Sequence, residues 1–292
     1  MAQFEIVCVP NAGAATPSGV EWGPTALAER VFASRLAPYV QDTCRSVEPC
    51  ASDGSDDLAE AAALARSTRD EVATVLRARR IPIVIGDERS LVLGTLGAIS
   101  AARERPFALV SFGARPGLRV DPTEPISERA LALALGRGDP DLCALVHPSL
   151  ETHNVALLGP RVVSPDEARW LREEAIWLYS SEELSAASSA IDIGERTMMM
   201  LEANGVRDLF LHVDLEVLDP AVGPGVRQPA PGGLDGDRLL KLVSYFSTTR
   251  FENLGLALSE YDPTRDRAST TLELAYGVIE TFVRHSSHLY VR

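Results

Sequence analysis

The chain has 292 residues, 46% of them hydrophobic, enough to bury a sizeable core in a single α/β domain spanning 1–292. Its formal net charge of −13 opposes binding to nucleic-acid phosphates and anionic membranes, both of which are held through clustered Lys and Arg, and leaves small molecules or protein subunits as partners. The start lacks a basic stretch followed by an apolar run, and nowhere do about 18 apolar residues follow one another, so the sequence predicts a cytoplasmic protein.

The first apolar run is EIVCVP (5–10), followed by a glycine-proline segment, Gly19-Val20-Glu21-Trp22-Gly23-Pro24. An acidic, Ser-rich stretch at 52–57 reads as an exposed loop, and 57–80 as an amphipathic helix. Strand-like runs recur at 81–86 (IPIVIG), 107–113 (FALVSFG), 154–159 (NVALLG), 209–215 (LFLHVDL) and 253–261 (NLGLALSEY). Helix starts with a capping residue open 164–174 and 235–245, and a last long helix is expected at 269–284. Strands alternating with helices predict βαβ units, and runs apolar almost throughout predict strands covered on both faces. The fold expected is a three-layer αβα sandwich around a mostly parallel sheet.

Parallel α/β sheets place ligands at the carboxyl ends of their strands. Those ends carry Gly86-Asp87-Glu88-Arg89-Ser90, Gly113-Ala114-Arg115-Pro116-Gly117, Asp214-Leu215-Glu216-Val217-Leu218-Asp219-Pro220 and Leu258-Ser259-Glu260-Tyr261-Asp262-Pro263. Strand alternation would put His212, Asp214 and Glu216 on one face, as a metal or acid/base site or as a structural network. His212 alone is expected to be a core histidine with a hydrogen-bond partner, and Asp219 and Asp262, each before a proline, to form turns. Met198-Met199-Met200 is expected to fill core gaps. His147 and His153 fall in a loop, and His285 and His288 on the surface. Cys8, Cys44, Cys50 and Cys143 show no C-x-x-C spacing and are expected to stay unpaired. No Walker loop or dinucleotide fingerprint occurs, and neither Ser90 nor Ser111 has a histidine in a recognisable nucleophile motif.

Along nearly its whole length the chain resembles the ureohydrolases, the arginase, agmatinase and formiminoglutamase family. The resemblance rests on the glycine-proline loop at 19–24, on 83–97 against Gly-Gly-Asp-His-Ser with its Leu-x-x-Gly helix, and on 214–231 against Ser-x-Asp-x-Asp-x-x-Asp-Pro with its Pro-Gly loop. It implies hydrolysis of guanidino compounds by two manganese ions bridged by hydroxide, in trimers or hexamers. Most of that family's metal ligands are replaced here. Glu88 is read at the first histidine, Gly113-Ala114-Arg115-Pro116-Gly117 stands for Asp-Ala-His-x-Asp, Asp214 matches a ligand, and Glu216 replaces an aspartate. Ser127 falls near the family's substrate-loop histidine, and Glu260 where the family receives a guanidinium.

Arg115 is expected to pair with Asp214, Glu216 or Glu88, because carboxylates stripped of metal need another countercharge. The function expected is a divergent arginase-family enzyme without cofactor, acting on a small amine-bearing or guanidino-like substrate by metal-independent acid/base chemistry, as in bacterial specialised metabolism. In that scheme Glu88, Arg115, Asp214 and Glu216 are catalytic, with Glu88 or Glu216 as base, and Glu260, His212 and Ser127 bind substrate. Two alternatives stand beside it: an inactive homologue with a structural or ligand-binding role, marked by a pocket that arginine salt bridges close, and a hydrolase with a single atypical metal.

Overall fold

The computed structural model describes residues 3–10, 20–48, 57–86, 89–174 and 176–287. Among them are eight strands: β1 (Phe4–Val9), β2 (Arg45–Ser46), β3 (Ile81–Gly86), β4 (Ala108–Phe112), β5 (Val155–Leu158), β6 (Trp177–Tyr179), β7 (Asp208–Asp214) and β8 (Glu252–Ser259). They form one sheet in the order β2-β1-β3-β8-β7-β4-β5-β6, with every pairing parallel. Six of the eight follow the apolar runs. The two missed, β2 and β6, are short edge strands of two and three residues, too brief to leave a periodic signal.

Helices cover both faces. On one lie α1 (Gly23–Phe32), and later α7 (Ser181–Ala186), α8 (Ala190–Ala203), α9 (Gly236–Ser247) and α10 (Thr270–Ser287); on the other lie α2 (Asp57–Arg77), α3 (Leu91–Ala102), α4 (Ile126–Ala134), α5 (Pro140–Cys143) and α6 (Pro165–Glu173). Strand residues alternate between the two cores: Ile6 and Cys8 pack with α1 and α10, whereas Val7 and Val9 pack with α2 and α3. The expected three-layer sandwich is what the chain forms, and it is parallel throughout.

Local chemistry explains the helix starts. Ser164 accepts from the Glu167 backbone N–H at 3.3 Å while Glu167 accepts from the Ser164 N–H at 2.9 Å, a reciprocal capping box with Pro165 at the first turn. Asp235 caps α9 by accepting from the Arg238 N–H at 2.7 Å. The Asp-Pro turns also form as expected: Asp219 accepts from Ala221, Gly232 and Gly233, and Asp262 from Thr264. The methionine run is only partly core, because helical spacing turns its members apart. Met198 is buried, but Met199 is 63% exposed. Of the expected loop at 52–57, residues 52–56 lie outside the described residues, as does His288, and Asp57 opens α2.

Replacing Ser164 by Ala should lower stability by about 1 kcal/mol through the lost cap. Urea denaturation would read this as a lower midpoint with an unchanged slope.

Candidate active-site cluster at the carboxyl end of the sheet

After β3 the chain leaves for β4, three positions further across the sheet, so β8 and β7 lie between them and the four carboxyl ends share one crevice. From these ends come Arg89, Arg115, Asp214, Glu216 and Glu260, and α4 brings Ser127 and Glu128 beside them.

Arg89 is the centre of the cluster. Its Nη1 donates to Glu216 Oε2 at 3.0 Å and to Asp214 Oδ2 at 3.2 Å, its Nη2 to Glu128 Oε1 at 2.5 Å, and its Nε to the Ser127 carbonyl at 3.3 Å. The side chain is almost wholly buried. Burial, the largest influence on it, works against the charge, but Asp214, Glu260, Glu128 and Glu216 together more than offset this and raise its pKa. Arg115 adds a second guanidinium: its Nη1 donates to the same Glu216 Oε2 at 2.5 Å and lies 3.4 Å from the Gln228 carbonyl. The Arg115 pairing is as expected; the share taken by Arg89 is not. Aligning Gly86-Asp87-Glu88-Arg89-Ser90 with Gly-Gly-Asp-His-Ser through their final serines sets Arg89 opposite the histidine, and that signal was in the sequence. Glu88 lies outside the described residues.

Asp214 and Glu216 do not meet by strand alternation. The strand ends at Asp214, and Leu215–Val217 form a 3-10 turn in which Asp214 Oδ1 accepts from the Glu216 N–H at 2.8 Å. This Asp cap turns the two carboxylates towards the same guanidinium. Glu216 Oε1 in turn accepts from the Gln228 N–H at 3.0 Å, so both its oxygens are engaged. Burial first, and then the charge of Asp214, push the Glu216 carboxyl up to about 7, while Arg89, Arg115 and the Gln228 N–H hold it back.

His212 is the satisfied core histidine expected: its Nδ1 lies 2.9 Å from Ser111 Oγ and its Nε2 3.1 Å from Ser259 Oγ. Burial, with Arg89's charge second, lowers its pKa to about 3, so the ring is neutral and one serine donates to it while the other accepts. Ser111, although it lies in no nucleophile motif, therefore has a histidine partner in space. It is supplied by the neighbouring strand through the Ser111↔His212 register, which no local motif records.

Glu260 is fully buried at φ +70°, a backbone region non-glycine residues rarely adopt, and neither carboxylate oxygen has a hydrogen-bond partner among the described residues. Its nearest guanidinium is that of Arg227, Nε to Oε2 at 3.5 Å, and not that of Arg115. Burial raises its carboxyl well above the usual range, with Arg89 and Arg227 opposing. Ser127 is buried on the cavity wall, and its carbonyl is the group that holds Arg89. His153 is exposed and pairs with Glu151, away from the cluster.

Arg161, which sequence reasoning passed over, clamps the surrounding loops. Its guanidinium donates to the carbonyls of Glu216 and Ala230 at 2.7 Å, and reaches those of Leu218 and Pro231 at 3.2 and 3.1 Å. Its place just after the strand-like run 154–159 was the available signal. Between the cluster and α4 lies a cavity of about 30 Å³, lined by Arg89, Arg115, Ser111, Ser127, His212 and Asp214. It has room for roughly one or two waters. Among the described residues no group of three or more His, Cys, Asp and Glu side chains could hold a metal ion.

The arginase family model matches residues 2–284. The chain belongs to the arginase family. The arginase of Bacillus caldovelox is 28% identical over 249 residues, covering 80% of this chain and 82% of that protein. Among solved structures, Bacillus subtilis arginase superposes with a TM-score of 0.85 at 22% identity, over 97% of this chain and 98% of that one. The formimidoylglutamase of the same species gives 0.79 at 17% identity, over 98% and 87%. These superpositions place the parallel sheet and its flanking helices in the arginase-like fold.

Two outcomes test the cluster. Replacing Arg89 by Leu leaves buried carboxylates without their shared cation and should cost about 3–5 kcal/mol in denaturant unfolding. His212 has a folded-state pKa below its unfolded value, so its contribution to stability is fully present above about pH 6.5 and is lost as pH falls towards 3. Stability measured from pH 7 to pH 4 should therefore fall more steeply for the native protein than for His212→Asn, by at most about 1.4 kcal/mol per pH unit.

Proposed function

We propose that this arginase-family chain has no manganese-dependent ureohydrolase activity and serves as a structural or ligand-binding homologue, its strand-end carboxylates neutralised from within. One observation carries this reading: Arg89 and Arg115 both donate to Glu216 Oε2, at 3.0 and 2.5 Å, and Arg89 also reaches Asp214. A guanidinium has no lone pair to offer a metal and cannot lose its proton in a protein, so it is a permanent occupant of carboxylates that would otherwise serve a cation.

The described residues do not fit paired manganese ions. Hard divalent cations need several oxygens or imidazoles converging on one point. Here the two converging carboxylates are already bound by guanidiniums, and both nitrogens of His212 are taken by serine hydroxyls. The same commitments disfavour a single ion held by His212, Asp214 and Glu216. Size argues in the same direction, since the cavity of about 30 Å³ is far below the 300–1,000 Å³ typical of small-molecule sites. A homo-oligomeric, cytoplasmic protein belongs to the same proposal on family grounds.

Glu260 favours a second reading, metal-independent acid/base chemistry on an amine-bearing or guanidino-like substrate. A buried carboxyl without a hydrogen-bond donor, on a strained backbone, is the kind of feature that marks functional sites. A cationic substrate would supply the missing donors, and Glu216, at about 7, could exchange a proton near neutral pH.

The test is elemental analysis of protein purified without chelator, combined with urea release from arginine and agmatine with and without added manganese. The expected result is neither stoichiometric metal nor urea. Bound manganese with manganese-dependent urea release would overturn the proposal. Metal-free conversion of either compound, abolished in Glu260→Gln, would select the second reading.

A further inference from the structure

Ser111, His212 and Ser259 come from three neighbouring strands, β4, β7 and β8. Ser111 pairs in register with His212, and His212 with Ala257, so Ser259, two residues on, shares their face of the sheet. The contacts of 2.9 and 3.1 Å therefore form a line, hydroxyl to imidazole to hydroxyl, across three strands. Its two ends differ: Ser259 is buried, whereas Ser111 is half-buried and lines the cavity beside α4. A hydroxyl held on an imidazole, with a second group holding the far ring nitrogen, is the arrangement of an activated nucleophile.

We propose that Ser111 is an acyl-acceptor nucleophile that takes a small acyl group, acetyl above all, from an activated ester. The Ser111 Oγ attacks the carbonyl carbon while its proton passes to His212 Nδ1, and the bond from that carbon to the leaving oxygen breaks. The leaving group departs with the proton that His212 gives up, so one hydroxyl and one ester yield one serine ester and one alcohol or phenol. The ring takes that proton in the tautomer with hydrogen on Nε2, which donates to Ser259 Oγ and leaves the Nδ1 lone pair facing Ser111.

The cavity fits this group. Val92, Leu109 and Leu131 give it an apolar wall for a methyl group, and Arg89 and Arg115 border it, where their guanidiniums favour the negative charge that develops on a carbonyl oxygen under attack. The Arg115 side chain is partly exposed and marks the side from which the leaving group departs. A volume of about 30 Å³ admits an acetyl group, of about the bulk of two waters, and excludes longer acyl chains. An acetyl group seated there displaces the water that would hydrolyse it, so the acyl-serine persists.

Burial and the charge of Arg89 disfavour the imidazolium, so the ring aims the hydroxyl and hands its proton on without storing it, and acylation is slow and stops at one equivalent. Competing nucleophiles are few: the chain has a single lysine, Lys241, exposed on α9, and four cysteines. Lys241, Cys8, Cys44 and Cys143 all lie away from the cavity, so the position of an acetyl group distinguishes Ser111 from them.

The full-length protein, mixed with p-nitrophenyl acetate at pH 7, should release p-nitrophenolate in a burst of one equivalent and gain one acetyl group, which tandem mass spectrometry should place on Ser111. The butyrate ester should react at least about tenfold more slowly, because its longer chain overfills the cavity. Ser111→Ala should lose the burst, and native protein unfolded in urea should lose the selectivity for Ser111. Nitrogen NMR of the unlabelled site should find the His212 proton on Nε2. No burst, a burst unchanged in Ser111→Ala, acetyl groups only on Lys241 or the cysteines, equal rates with acetate and butyrate, or a proton on Nδ1 would each overturn the proposal.

Discussion

Carboxylates at the end of a parallel sheet, walled in by helices, cannot remain charged without a compensating cation, and this constraint organises the site. Asp214 and Glu216 are fully buried, and Glu128 nearly so. A lone ionised carboxylate in such surroundings costs several kcal/mol, so the fold needs a positive partner that water cannot replace. Arg89 is that partner, touching all three at 2.5 to 3.2 Å. It comes from the segment after β3, whereas Asp214 and Glu216 follow β7 and Glu128 lies on α4, so one side chain ties together elements remote in sequence.

The loops around the cluster follow from the same demand. Asp214 bends the chain after β7 by accepting from the Glu216 N–H, which brings Glu216 back to Arg89 and Arg115. Glu216 then takes the Gln228 N–H, and Arg161 binds carbonyls on both the 216–218 and 230–231 segments. Where a bound cation could have gathered these loops, guanidiniums and backbone amides do so. Glu260 stands apart, buried and strained with no hydrogen-bond partner among the described residues, which is why it remains the residue most suggestive of a ligand.

Much of this was legible in the sequence. Apolar runs at 81–86 and 209–215 fell on β3 and β7 almost residue for residue, because strands buried on both faces must be apolar throughout. Capping at Ser164 and Asp235 was local chemistry, readable within four residues. Arg115's partnership with Glu216 followed from charge balance once the motif at 113–117 was seen to lack its acids and histidine. What could not be read was placement across the sheet: the Ser111–His212 contact depends on register between β4 and β7, and Glu128 on the packing of α4. Glu88, read at the family's first histidine, lies outside the described residues, and its neighbour Arg89 is the residue found among the carboxylates.

The central claim is that arginine guanidiniums occupy the carboxylates at the carboxyl end of the sheet. Crystals grown without chelator and soaked in manganese, with diffraction collected for its anomalous signal, would test it most directly. The account predicts no anomalous peak beside Asp214 and Glu216, with Arg89 and Arg115 both within hydrogen-bonding distance of Glu216. A peak bound by those carboxylates, with the two arginines turned away, would contradict it.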